Sequence, residues 1–99
     1  MDLLQGQRER IADICRRYHV RRLSLFGSAA TGTQRPESDV DLLVEFVPGQ
    51  APSGFALVDM QQELAAVFGG RRVDLAFPSV LRNPWRRRAI EPQLQPIYQ

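Results

Sequence analysis

At 99 residues and 11.2 kDa the chain has room for one small domain, residues 1–99, and not for separate catalytic and substrate-binding domains. With 43% hydrophobic and 24% charged residues, wholesale disorder is excluded. The 13 basic residues, every one Arg, exceed the 11 acidic ones by two, a charge too small to indicate nucleic-acid binding on its own.

The first predicted element is a helix over residues 5–19. Ile11, Ile14, Cys15 and Tyr18 recur at i, i+3, i+4 and i+7 and form one apolar stripe. Cys15, the single cysteine, lies on that stripe and reads as a core residue. With one cysteine there is no intrachain disulfide and no Cys₂His₂ zinc site. His19 reads as the last residue of the helix.

Leu23, Leu25 and Phe26 predict a short buried strand ending at Gly27. Residues 28–37, with Gly32 and Pro36 among small and polar residues, are compatible with a short helix and then a loop. Residues 40–47 form an almost continuous apolar run, broken by Asp41 and Glu45, and predict a strand buried on both faces. Turn formers fill 48–54, with Ser53 placed to cap the next helix. In that helix Leu57, Met60, Leu64, Val67 and Phe68 make the apolar face, and Gly69-Gly70 ends it. Residues 71–77 predict a third strand. Residues 81–90 predict a last, Arg-rich helix, and Ile97 and Tyr98 lie in a short extended tail. This alternation argues for an α/β (α+β) domain, a mixed β-sheet packed with helices. No apolar run approaches the roughly 18–20 residues of a membrane span, so a soluble cytoplasmic protein is expected.

Chemistry concentrates around residues 27–45. Asp39 and Asp41, at i and i+2 of a strand, point to one face with Cα atoms roughly 6.5–7 Å apart. Two such carboxylates repel unless one is protonated or a cation lies between them. Hard divalent cations such as Mg²⁺ bind one or two carboxylates together with substrate phosphates, so the pair is suited to hold metal against a nucleotide. The bland alternative for Asp39 is a turn aspartate bonded to nearby backbone. Asp41 sits in a run that otherwise demands burial, where an unpaired carboxylate is costly. Gly27-Ser28 follows a strand, and a glycine there admits close approach of a phosphate, to which the Ser28 hydroxyl can donate. Asp74 is a third carboxylate if its strand neighbours 40–47; otherwise it is an outward acid paired with Arg.

Gly27-Ser28, ten residues, Asp39-Val40-Asp41, and then Val73-Asp74-Leu75 resemble the nucleotidyltransferase superfamily of DNA polymerase beta. The match is closest to its minimal nucleotidyltransferases, the antitoxin halves of HEPN/MNT toxin–antitoxin pairs. Leu81-Arg82-Asn83-Pro84-Trp85, Ile90-Glu91 and Ile97-Tyr98 resemble the family's C-terminal end. The resemblance implies transfer of a nucleoside monophosphate, AMP from ATP, to a hydroxyl of a partner protein, a HEPN toxin. It implies two Mg²⁺ ions held by Asp39, Asp41 and Asp74 as catalytic and metal residues, and outer phosphates held by Gly27 and Ser28. Ala29 and Thr31 stand where the family often carries Arg, and Arg35 is the nearby substitute.

A second reading is therefore a catalytically weak or inactive antitoxin that neutralises its toxin by binding. A nucleic-acid module built on Arg82, Arg86, Arg87 and Arg88 is disfavoured, because Trp85 is the one aromatic among them. A homo-oligomer stays open. The length leaves no residues for a small-acceptor pocket, which points to a macromolecular acceptor. Phe55, Trp85 and residues 82–88 are the contact candidates, with core packing and solvation as the alternatives.

Overall fold

Helix α1 spans Arg8–Arg17 and buries Ile11, Ile14 and Cys15, the predicted stripe. These elements come from a computed structural model that describes residues 6–27 and 39–99. The predicted helix and loop at 28–37, with Ser28, Ala29, Thr31 and Arg35, fall outside the described residues. Burial pushes the Cys15 thiol up to about 12, consistent with an inert core residue. His19 is not the last helical residue. The helix ends at Arg17, and His19 takes a left-handed φ of 61°, turning the chain into the sheet. Its carbonyl then accepts the Val47 N–H at 2.9 Å.

Four strands follow: β1 (Val20–Phe26), β2 (Val40–Phe46), β3 (Val73–Ala76) and β4 (Gln95–Tyr98). They form one mixed sheet in the order β3-β2-β1-β4. β1 is antiparallel to both β2 and β4, while β2 and β3 run parallel. The pairing steps from Val20↔Phe46 to Arg22↔Glu45, so Arg21 is an extra, bulged residue. That bulge lets Val20 and Leu23, three positions apart, face the same side of the sheet.

The parallel β2–β3 pair needs a crossover, supplied by α2 (Gly54–Val67). Met60, Leu64 and Val67 turn inward, as their spacing predicts. Ser53 holds the N-cap position in extended conformation but makes no side-chain cap bond, contrary to the expectation for it. Gly69 and Gly70 are both left-handed. The Gly70 N–H reaches the Ala65 carbonyl at 2.8 Å and the Gly69 N–H that of Ala66 at 3.2 Å. This 6→1 and 5→2 pair is a Schellman motif, and it redirects the chain into β3.

The core lies between α1, α2 and one sheet face. Ile11, Leu23, Val40, Leu42, Val44, Met60, Leu64 and Val73 are essentially inaccessible, and burying each large aliphatic side chain stabilises by about 1.5–3 kcal/mol. At the surface between the helices, Arg17 bridges Glu63 at 2.6 Å and Asp13 at 3.1 Å, and the Tyr18 hydroxyl donates to Glu63.

After β3 the chain departs from the single predicted helix. A 3₁₀ turn (Pro78–Arg82) and helix α3 (Pro84–Ile90) meet at Asn83. Proline disfavours helical backbone in the residue before it, so Asn83 is extended, and its side chain caps α3 by accepting from the Trp85 and Arg86 amides. A second 3₁₀ turn (Glu91–Gln93) leads into β4. The predicted tail is thus an edge strand that buries Ile97 against the core. Among the described residues no helix is long and apolar enough to cross a membrane.

Candidate active site

Alternation along β2 sends Val40, Leu42 and Val44 toward the helices, so Asp41, Leu43 and Glu45 share the other face. The parallel register sets Asp41 directly beside Asp74 and Leu43 beside Ala76. Adjacent strands lie about 4.8 Å apart, so two carboxylates at one register position are immediate neighbours. Asp39 is exposed at the entrance to β2, and the next amide, Val40 N–H, is fixed to the Arg72 carbonyl at 2.9 Å. The three predicted aspartates therefore meet at one end of the sheet, on the face away from the helices.

The electrostatics follow from that crowding. Partial burial, then the charge of Asp74, then that of Asp39 raise the Asp41 carboxyl above its ordinary 3.8. Arg72 Nε lies 3.5 Å from Asp74 Oδ1 in an exposed pair. Such a pair contributes little in water. Among the described residues no three His, Cys, Asp or Glu side chains form a ready-made metal cage.

Gly27 closes the site from β1. Its φ is +72°, and a Cβ placed there would lie 2.6 Å from Asp41 Oδ2. A side chain there would force the Asp41 carboxylate to shift, so the neighbour and the left-handed φ both favour glycine. Its N–H donates to Gln93 Oε1 at 3.0 Å. Gln93 carries no sequence signal for this role, being 66 positions from its partner. Ser28, the other predicted phosphate residue, lies outside the described residues.

The C-terminal segment lies over the same face of the sheet. Between it and the strands is a cavity of about 320 Å³, lined by Ser24, Leu43, Glu45, Leu81, Glu91 and Leu94 among others. None of Asp39, Asp41 and Asp74 is among the residues that line it, so it is not by itself a pocket for a small acceptor at the carboxylates. The break at Asn83-Pro84 folds the segment back over the sheet instead of extending it as one helix. Trp85 is 78% exposed and Phe55 90% exposed, so neither packs in the core. They do not share a surface at the carboxylates. Trp85 belongs to the covering segment, whereas α2 runs back along β2 and leaves Phe55 at the far end of that strand from Asp41.

The model of the nucleotidyltransferase domain family matches residues 8–95. A Methanocaldococcus jannaschii chain assigned as a protein adenylyltransferase is 36% identical over 78 residues, 79% of this chain and 77% of that one. A solved structure assigned as a minimal nucleotidyltransferase superposes with TM-score 0.69 at 33% identity, covering 90% of each chain. A toxin–antitoxin structure with AMP-PNP shares the fold, with TM-score 0.67 at 24% identity over 93% of this chain and 73% of that one.

Proposed function

The chain belongs to the nucleotidyltransferase domain family, and from that premise we propose that it transfers AMP from ATP to a hydroxyl of a partner protein, as the antitoxin of a HEPN toxin. One observation carries the reading. Asp41 and Asp74 share a register position with Asp39 beside them, and partial burial, then the charges of Asp74 and Asp39, hold the Asp41 carboxyl above its ordinary value. Two carboxylates at one register position with a third beside them repel one another, and a cation between them relieves that repulsion. The donors are all carboxylate oxygens, the ligand type Mg²⁺ prefers, and Mg²⁺ completes its shell with water and phosphate oxygens instead of a closed protein cage. Asp39, Asp41 and Asp74 would hold it, two ions in all. It would supply positive charge against the phosphates and lower the pKa of the acceptor hydroxyl.

The chain's own residues position the reactants. Gly27 gives Asp41 the space to stand at the end of β1, and Ser28 follows it to take an outer phosphate. Asp74, on the edge strand β3, would accept the proton of the incoming hydroxyl at a carboxylate oxygen, at the cost of its weak pair with Arg72. Holding nucleotide and acceptor in line is worth about 7–11 kcal/mol in reactions of this kind. Trp85 and the arginines of α3 are the proposed contact with the acceptor protein, since exposed aromatics and Arg are enriched at interfaces.

The test is to incubate the purified chain, labelled ATP and Mg²⁺ with the toxin, and separately with aminoglycosides as small acceptors. Label on a toxin tyrosine, dependent on Mg²⁺, is expected. Transfer to the small acceptor with none to protein overturns the reading. The binding-only alternative rests on Ala29 and Thr31 standing where the family often carries Arg. Equal neutralisation of the toxin by the wild-type chain and by Asp41→Asn would establish it.

A further inference from the structure

β1 and β4 pair with residue numbers that sum to a constant over Ser24↔Pro96 and Leu25↔Gln95. Continued by two residues, the same ladder sets Gly27 opposite Gln93. The backbone ladder does not reach that far, because residues 91–93 wind into a 3₁₀ turn begun by Glu91 and Pro92. The Gln93 side chain takes over the pairing instead, its Oε1 accepting the Gly27 N–H at 3.0 Å. The turn that presents it is held by Arg87 Nε donating to Glu91 Oε1 at 2.8 Å and by the Leu94 N–H on the Glu91 carbonyl at 3.3 Å.

Gly27 is the residue whose missing Cβ leaves room for Asp41 Oδ2. Glycine has no intrinsic preference for the left-handed region it occupies here, so its contacts bias it, the bond to Gln93 among them. We infer that Gln93 is a positioning residue for nucleotidyl transfer: it fixes the Gly27 peptide so that the Asp41 carboxylate keeps its place. The contact it makes is with the Gly27 N–H, and it acts through Gly27. The inference rests on the proposed transferase reading for its kinetic consequence, though not for its structural one.

Two variants separate the roles. Gln93→Met keeps the length and loses the acceptor, whereas Gln93→Glu keeps an acceptor oxygen. A single hydrogen bond of this kind corresponds to roughly a 2- to 10-fold change in an equilibrium. Hydrogen exchange of the Gly27 amide should quicken by about that factor in Gln93→Met and stay near wild type in Gln93→Glu. In the transfer assay Gln93→Met should lower kcat by a similar factor with KM for ATP changed less than about twofold, because what is lost is carboxylate placement. A lowered KM would overturn the inference, since it would mean that Gln93 only occupies an amide that a phosphate takes on binding. Unchanged Gly27 exchange in Gln93→Met overturns it as well. If the wild-type chain transfers nothing to any acceptor, the function proposal fails while the exchange measurement still decides whether Gln93 holds Gly27.

Discussion

Replacing Gly27 with alanine tests the packing of the site most directly. Two penalties are built into the position. The first is the left-handed backbone at φ +72°, which costs a residue with a Cβ about 1–3 kcal/mol. The second is the new Cβ at 2.6 Å from Asp41 Oδ2, well inside any ordinary contact. The carboxylate must leave its rotamer, at about 0.5–1.5 kcal/mol. Gly49 separates the two, because its φ is +77° and nothing lies within 4 Å of a Cβ built there. Urea unfolding should therefore show Gly49→Ala destabilised by the backbone cost alone and Gly27→Ala by about 0.5–1.5 kcal/mol more. In an Asp41→Ala background the excess should vanish, as the cycle of single and double variants would register. Gly27→Ala should also lose transfer activity, and Gly49→Ala should keep it. Equal destabilisation by the two alanines, with no coupling to Asp41, would refute the argument that Asp41 dictates the glycine.

Asp41→Asn should abolish transfer and leave the fold intact. Its pH signature has a definite sign. The folded-state carboxyl is raised above 3.8, so its stabilising contribution is fully present below that value and is lost as pH rises through the higher folded value. The wild-type chain should therefore lose stability relative to the Asn variant across that rise, and the variant should be the more stable at neutral pH. Parallel stability–pH curves for the two would count against a carboxyl raised by burial and by Asp74 and Asp39. Glu63, lowered chiefly by its bond from Arg17, acts oppositely in both proteins: its contribution is present above 4.5 and lost as pH falls through the lowered value. Asn83→Ala should quicken amide exchange in the first turn of α3, since its side chain holds the Trp85 and Arg86 amides. A cap is worth about 0.5–2 kcal/mol to its helix. Global unfolding should move little, because α3 buries no residue; a global loss above about 2 kcal/mol would refute that local picture.

What the sequence disclosed and what it withheld divide along physical lines. β2 was legible because a carboxylate inside an apolar run is a strong anomaly, and its alternation fixed the face on which Asp41 stands. Asp74 was legible once its strand was placed beside β2, although nothing local distinguishes it from an outward acid paired with Arg72. Helix ends were less clear. The stripe that predicts α1 continues to Tyr18, but a left-handed cap at His19 is a backbone choice with no periodicity to announce it. The break at Asn83-Pro84 was readable from proline's effect on its predecessor, yet the run of arginines beyond it suggested one continuous helix. Gln93 had no signal at all, because its role exists only after β4 has found β1.

The one-to-one pairing of Asp41 with Asp74 has a consequence for how such a chain tolerates changes in length. A strand's side chains alternate, so the segment between the two aspartates obeys a parity condition. Removing one residue at Arg71 or Arg72 would turn Asp74 toward the helices and expel Val73, which is 1% exposed, onto the wet face. Removing two would restore the side but displace the carboxylate by about 6.6 Å along the strand, beyond the reach of its partner. The turn after Gly70 is thus intolerant of any insertion or deletion, odd or even. The stretch at 47–53, exposed along most of its length and at the opposite end of β2, is where the crossover can lengthen or shorten without disturbing the carboxylates.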